Sequence, residues 1–445
     1  MTDAPPAPGK LRLRDLDPRV HRLFLGFAFS ALGSGLTMPF LYVYLAEVRG
    51  ISTATVGLMF GWMGLLGFVL SPVGGSLIDR FGPRPVMITG LVVEAACTTS
   101  IGLVENVAGA FVVGSLIVVG TVGLWPAATA MLTRLVPAEG REKVYGLNFM
   151  LLNAGLGIGG LISATIVDMS SVASFQRLYV IDGLTYLAYI LVLVTMPRGT
   201  GLAPSLDAPA SAVGGEGGEG GEGGEAVEEE QPSWAVVLRD RTLLRVVAIS
   251  ILAITFGYSQ MEAGLAAYAV SVAGIPAHAL GWAYGANTAA IVAGQLVTLR
   301  MIRGRRRSLM LAVCAGTWSV SWLVIAASDA VDGWAAVAAI IIGLGLFGAG
   351  ETLWAPLAPA IVNDLAREDM RGRYNALQGM TWTVGSIVGP ASAGLLIGHG
   401  LPHLWAALVV GGTALAAVLF VDLRRHLSLA QDGVPQSVPV PVEVA

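Results

Sequence analysis

Long apolar runs separated by short polar punctuation make up most of the chain. Residues 23–46, 50–78, 106–133, 144–167 and 308–328 contain no charged residue, and each is long enough to cross a hydrocarbon core, which takes about 20 apolar residues in a helix. Residues 85–104, 178–197 and 333–363 qualify with one acid apiece, Glu94, Asp182 and Glu351. Two further stretches are too long for one crossing. Residues 246–299 divide at Gly274-Ile275-Pro276, and residues 374–421 divide between Gly398 and His403, where glycine and proline end helices. The first of these stretches carries Glu262. The pattern predicts an all-α membrane protein with twelve transmembrane helices.

Composition agrees and narrows the class. Of 445 residues 55% are hydrophobic and 13% charged, with a mean hydropathy of +0.72, against about 25% charged residues in soluble domains. That excludes a cytosolic enzyme. Abundant glycine and little polar–apolar alternation favour packed helices over an outer-membrane barrel. Cys97 and Cys314 each sit inside an apolar run without a partner motif, so neither a disulfide framework nor a metal site is expected. No P-loop, catalytic triad or zinc spacing is present, and no cofactor or nucleic-acid partner is expected.

Charge placement orients the spans. Of the 26 Lys and Arg residues, 24 fall on the side of the two termini, leaving Arg49 and Arg177 opposite. Because cytoplasmic loops hold the excess of positive charge, both termini are expected in the cytoplasm, in a multi-pass protein of the cell membrane. No cleavable signal peptide is expected, and the first span would act as an uncleaved anchor. The net charge of -4 is misleading, since seven acids lie among Gly-Glu repeats and Glu228-Glu229-Glu230 after the sixth span. Such low complexity buries no core and reads as a tether. The expected division is therefore a cytoplasmic segment 1–22, a six-helix bundle 23–197, a Gly/Glu-rich linker 198–241, a second bundle 242–423 and a tail 424–445.

The halves resemble one another. Gly50-Ile51-Ser52 with Val56-Gly57 reappears 224 residues later as Gly274-Ile275-Pro276 with Leu280-Gly281, and Leu124-Trp125 reappears 229 residues later as Leu353-Trp354. Repeated halves about a long linker are the plan of secondary transporters, whose site lies between them near the midplane. After the second span the chain reads Gly75, Asp79, Arg80, Gly82 and Arg84 within a ten-residue loop. This resembles the signature loop of the major facilitator superfamily, with Pro83 replacing one basic residue. The resemblance implies two pseudo-symmetric six-helix bundles and a latch at this loop that holds the halves together on the cytoplasmic side, with Asp79 meeting a helix N-terminus. Leu32-Gly33 with Pro39, and the glycines 155, 157, 159 and 160 after Asn153, are similar to elements of twelve-helix drug/proton antiporters. The arginine that such exporters typically carry in span 4 is missing.

Ionisable groups inside a membrane cost roughly 2.5 to 3.5 kcal/mol at a helix centre and are functional candidates by default. The resemblance places spans 1, 4, 7 and 10 around a central cavity, which makes Glu262 and Glu351 the candidates for proton or cation coupling. Desolvation favours the neutral form of a carboxylic acid, the property a proton carrier needs. Glu94 and Asp182 are read as structural. Ser34, Thr37, Tyr42, Trp125, Tyr258, Gln260 and Trp354 are expected to line the substrate cavity, the tryptophans as apolar or cation–π walls. Ser30, Ser34 and Thr37 fall on one helical face. The expected function is alternating-access transport of a small molecule by a monomer in the bilayer, as proton-coupled efflux of amphipathic or cationic compounds. A symporter or facilitator for a neutral metabolite, or a non-transporting sensor on the same fold, stays open.

Overall fold

Each long apolar run folds as a helix, and no strand occurs among the described residues. The computed structural model describes residues 16–136, 138–197, 200, 234–367 and 370–434. The expected segment 1–22 lies outside them up to residue 15, the linker at 198–199 and 201–233, and the tail from 435 onward. In the first half run α1 (Pro18–Thr37), α2 (Thr53–Phe81), α3 (Pro83–Ile101), α4 (Val107–Thr121, resumed as Leu124–Leu135), α5 (Ala138–Ile166) and α6 (Val172–Val194). In the second run α7 (Arg241–Phe256), α8 (Ala279–Met301), α9 (Arg307–Ala326), α10 (Gly333–Leu365), α11 (Arg371–Gly398) and α12 (Pro402–Leu423). Ten of these passages are long and apolar enough to cross a membrane. The other two, α3 and α8, have 19 and 23 residues and dilute their apolar content with residues such as Glu94, Asn287 and Gln295.

Helix starts follow local chemistry. The first N–H groups of a helix lack intrahelical acceptors, and Asp17, Ser52, Asn106 and Asp240 supply side-chain oxygens to α1, α2, α4 and α7. α9 takes its cap from a distance. Asp432, in the segment after α12, accepts from the Ser308 N–H at 2.7 Å and from Ser308 Oγ at 2.9 Å. The tail up to residue 434 thereby folds back over the start of α9, where Arg307 pairs with Asp364 of α10.

The repeat seen in the sequence is a repeat of backbone geometry. α1 ends at Thr37 and continues as a 3₁₀ turn (Met38–Phe40), a short helix (Leu41–Val43) and a π turn (Tyr44–Val48). α7 is followed by the same succession, Tyr258–Met261, Gly264–Ala267 and Tyr268–Val272. Tyr44 donates to the Gly102 carbonyl and Tyr268 to that of Ala326, donor and acceptor both recurring 224 residues later. Gly50 and Gly274 both take positive φ, 67° and 64°, where only glycine is unstrained.

The two halves meet along two helix pairs, α2 with α11 and α5 with α8. A Cβ on Gly57 would fall 2.5 Å from the Gly394 Cα, and one on Gly281 would fall 2.1 Å from the Gly160 carbonyl oxygen. These contacts sit near the arginine-poor end, where Ser271 also donates to Glu47 at 2.6 Å and faces the Tyr42 hydroxyl at 3.2 Å. Towards the arginine-rich end α2 and α11 diverge around a groove of about 630 Å³ between Gly67 or Ser71 and Gly379 or Thr383. The halves are in close contact at one end, and α2 and α11 stand apart at the other.

Replacing Gly394 by valine overpacks the seal at a cost of about 1 to 3 kcal/mol, a fivefold or larger change in the equilibrium between arrangements. In a Cys97→Ala/Cys314→Ala background, a cysteine placed at Ala391 is expected to react faster with an impermeant thiol reagent from the arginine-poor side once Gly394→Val is added. An unchanged rate would show that the seal does not depend on this approach.

Candidate functional site

The paired helix breaks shape a cavity between the halves. Pro39 lacks the N–H that would continue α1, and irregular backbone at membrane depth is tolerated where it lines a cavity or is buried in protein. Met38 and Pro39 from the first break, and Tyr258, Met261 and Glu262 from the second, turn towards one space of about 70 Å³, room for several waters. Gly35, Asn153 and Leu156 complete its first-half wall, and Tyr284, Asn287, Thr288 and Glu351 its second-half wall. The Tyr284 hydroxyl donates to the Met261 carbonyl at 2.6 Å, satisfying an oxygen beside the α7 break. Thr288 Oγ1 donates across the halves to the Asn153 carbonyl at 3.2 Å.

Two carboxyl groups therefore share one cavity. Glu351 is 7% exposed and is approached by the Tyr258 and Asn287 side chains. Glu262 is half-buried and has no hydrogen-bond or ion-pair partner among the described residues. No Lys, Arg or His among the described residues lines the space. Such a site can take a cation or a proton at either acid, beside aromatic rings and two methionines whose side chains adapt to varied apolar shapes.

Of the expected site residues, Tyr258, Glu262 and Glu351 are brought together and the others are directed elsewhere. Gln260, two residues from both Tyr258 and Glu262, falls on the opposite face, where its Oε1 accepts the Trp405 indole N–H at 2.8 Å. Trp354 joins an aromatic column, stacked on Trp318 at 5.4 Å and edge-on to Phe420. Thr37 donates to Asp182 at 2.6 Å and Ser34 faces the Tyr186 hydroxyl at 3.4 Å, so the polar face of α1 is turned to α6 rather than to the other half. Ser34 and Trp125 border a separate first-half cavity of about 210 Å³. Tyr42 bonds Thr53 and Ser271 in the seal. The cavity residues on α8 were not expected, although Asn287-Thr288 in the middle of an apolar run was a usable signal.

The comparisons match this architecture. The family model of the Major Facilitator Superfamily matches residues 23–354 and again 273–443. The chain belongs to the Major Facilitator Superfamily. It is 24% identical over 421 residues to the uncharacterized MFS-type transporter YqjV of Bacillus subtilis, covering 94% of this chain and 96% of that one. It is 24% identical to the quinolone resistance protein NorA of Staphylococcus aureus over 191 residues, 40% of this chain and 45% of NorA. The fold is similar to a peptide transporter POT in complex with sulfate (TM-score 0.70, 16% identity, 94% and 95% of the two chains). A bacterial homologue of the human lysosomal transporter Spinster, inward-facing and unoccupied, superposes with a TM-score of 0.62 at 13% identity over 94% and 98%. The protein is a multi-pass membrane transporter of the superfamily.

The superfamily's signature loop is a one-residue hinge here. Gly82, at φ 83°, ends α2 and starts α3. Arg84 donates to the carbonyls of Val194, Met196 and Pro197, so it closes the α6 C-terminus within its own half. Arg80 lies over the Phe81 ring at 5.2 Å. Asp79 is exposed, without a hydrogen bond or ion pair among the described residues, and Gly75 has open space where a Cβ would point. The expected latch across the halves is not engaged in this arrangement, because α2 and α11 diverge at this end. The glycines after Asn153 divide by face: Gly155 and Gly159 press on α1 and Gly157 and Gly160 on α8.

The Gln260 geometry is testable. Gln260→Leu leaves the Trp405 N–H without its acceptor, a buried loss of about 1 to 3 kcal/mol. Thermal unfolding of the purified protein is expected to fall by several degrees with ligand affinity unchanged; a loss of affinity at unchanged stability would return Gln260 to the cavity.

Proposed function

We propose that the protein is a secondary active transporter that works by alternating access and couples proton entry to efflux of small amphipathic cations. The observation that carries this reading is the pairing of Glu262 and Glu351 in one cavity without a cationic side chain. A carboxylate there attracts a cation, and the same group, desolvated, takes a proton; when the two exclude one another, exchange follows directly. Met38, Met261, Tyr258 and Tyr284 supply apolar and aromatic surface for the rest of an amphipathic solute. The partial similarity to a quinolone resistance protein supports efflux.

In the proposed cycle the arginine-rich end faces the cytoplasm, as do both termini, and the protein acts as a monomer in the cell membrane, its bundles spanning 23–197 and 242–423. Solute enters through the groove between α2 and α11 and settles against the two acids. Approach of α2 and α11 then brings Asp79 towards the second half and closes that end, while the glycine seal parts at the other. A proton arriving from outside neutralises the carboxylate and releases the cation. A second reading, symport or facilitated passage of a neutral solute, is supported by the Asn153, Asn287, Thr288 and Tyr284 donors and acceptors in the same cavity.

Proteoliposomes loaded with an amphipathic cationic dye separate the two. A proton gradient is expected to drive dye movement against the proton flow in the wild type. Glu351→Gln or Glu262→Gln is expected to reduce that movement about tenfold or more, the effect of losing roughly 1.4 kcal/mol of coupling. Flux indifferent to both changes would remove the coupling role, and dye moving with the protons would favour symport.

A further inference from the structure

A second pair of acids lies outside the cavity, in the core of the first half. Glu94 of α3 and Asp182 of α6 are 2% and 1% exposed. Asp182 accepts Thr37 Oγ1 at 2.6 Å, Thr185 Oγ1 lies 3.4 Å from its Oδ1 but donates to its backbone carbonyl at 2.7 Å, and a Cβ on Gly33 would fall 2.2 Å from its Oδ1. Glu94 Oε1 has no hydrogen-bond partner although it is buried, and neither has the Tyr179 hydroxyl one turn before Asp182. The two carboxyls lie within electrostatic reach of one another, and the Tyr186 hydroxyl within reach of both. The other titratable groups around them are the Cys97 thiol of α3 and the Tyr44 and Tyr179 hydroxyls. α4 presents Gly120 to the Glu94 side chain and has no titratable residue between 107 and 121. No Lys, Arg or His pairs with either acid among the described residues.

Two like charges buried together cannot both persist without a compensating cation. The donors are unevenly shared: the Thr37 hydroxyl donates to Asp182 and none to Glu94, so a proton on Glu94 would give its orphaned carboxyl something to donate while Asp182 keeps its charge and its bond. We infer that Glu94 and Asp182 bind a proton between α1, α3 and α6, at a site separate from the transport cavity, and that its release is felt at the α1 break through Thr37. Thr37 is the last residue of α1, and the next two, Met38 and Pro39, line the cavity. Release of the Glu94 proton leaves two negative charges together and so acts, through Asp182, on the Thr37 bond that anchors the cavity-side turn. This regulatory consequence rests on the proposed transport function; the proton site itself does not.

The test is infrared difference spectroscopy on protein reconstituted in lipid, between buffers that lie above the range in which exposed carboxylates titrate. Glu262→Gln/Glu351→Gln silences the cavity acids. In that protein a protonated-carboxyl band is expected to remain and to disappear when Glu94→Gln is added. Thr37→Val, which removes a donor to Asp182 that counts for most when both acids are charged, is expected to move the band's titration midpoint to more alkaline buffer at unchanged amplitude. Absence of a pH-dependent band from the Glu262→Gln/Glu351→Gln protein overturns the site, as does a midpoint indifferent to Thr37→Val. A band lost when sodium replaces potassium at constant pH would assign the site to sodium instead. Because these spectra need no transport, a failed coupling role for Glu262 and Glu351 and a failed site at Glu94 and Asp182 are read separately.

Discussion

Backbone meets backbone where Gly57 of α2 lies against Gly394 of α11 and Gly160 of α5 against Gly281 of α8, and the arrangement of the two halves depends on those approaches. Between helices in lipid there is little hydrophobic drive to associate, so close van der Waals packing through small residues has to hold them together. A seal made this way has no ion pairs to break and is local. It fixes one end of the interface and leaves the other free to spread into the groove between α2 and α11. The same distribution explains why Asp79 stands exposed while Arg84 is engaged: Arg84 serves the α6 terminus inside its half, and Asp79 belongs to the end where the halves are apart.

The broken helices are the second constraint. Tyr284 donates to the Met261 carbonyl in the break after α7, while Tyr44 and Tyr268, one in each π turn, tie the breaks to the ends of α3 and α9 through the Gly102 and Ala326 carbonyls. The breaks recur at the same separation in both halves, so the cavity is built from two copies of one irregularity. Their contents differ. The second break brings Tyr258 and Glu262 to the cavity, whereas the first brings Met38 and Pro39; its own acid, Glu47, is held by Ser271 in the seal, and Asp182, which binds Thr37, lies behind the wall on α6.

That asymmetry extends into the cores. The second half is filled by an aromatic column, Trp318, Phe347, Trp354 and Trp322 with Trp405, in which Gln260 is held as an acceptor. The first half has instead a polar centre around Glu94, Asp182, Thr37 and Tyr186.

Apolar run length by itself determined the helices and their approximate limits, because a helix in lipid must satisfy its own backbone and needs a minimum span to do so. The glycine and proline punctuation located the division of the long runs, and the 224-residue offset announced the shared geometry of the two breaks. Four acids were legible as candidates because a charge at membrane depth is costly whatever surrounds it, and the resemblance to the superfamily, which puts spans 7 and 10 at the cavity, singled out Glu262 and Glu351. Which face each neighbour presents was decided only by tertiary packing. Ser34 and Thr37 share a face with the right period, yet period does not say whether that face meets α6 or the opposite half. Gln260 and Trp354 stand beside the two acids in the chain, but the turn geometry after Gly257 and the pull of the aromatic column direct them into the core. Asn287 and Thr288 reach the cavity because the glycines of α5 let α8 come close, a condition set by the fit of two helix surfaces rather than by either sequence.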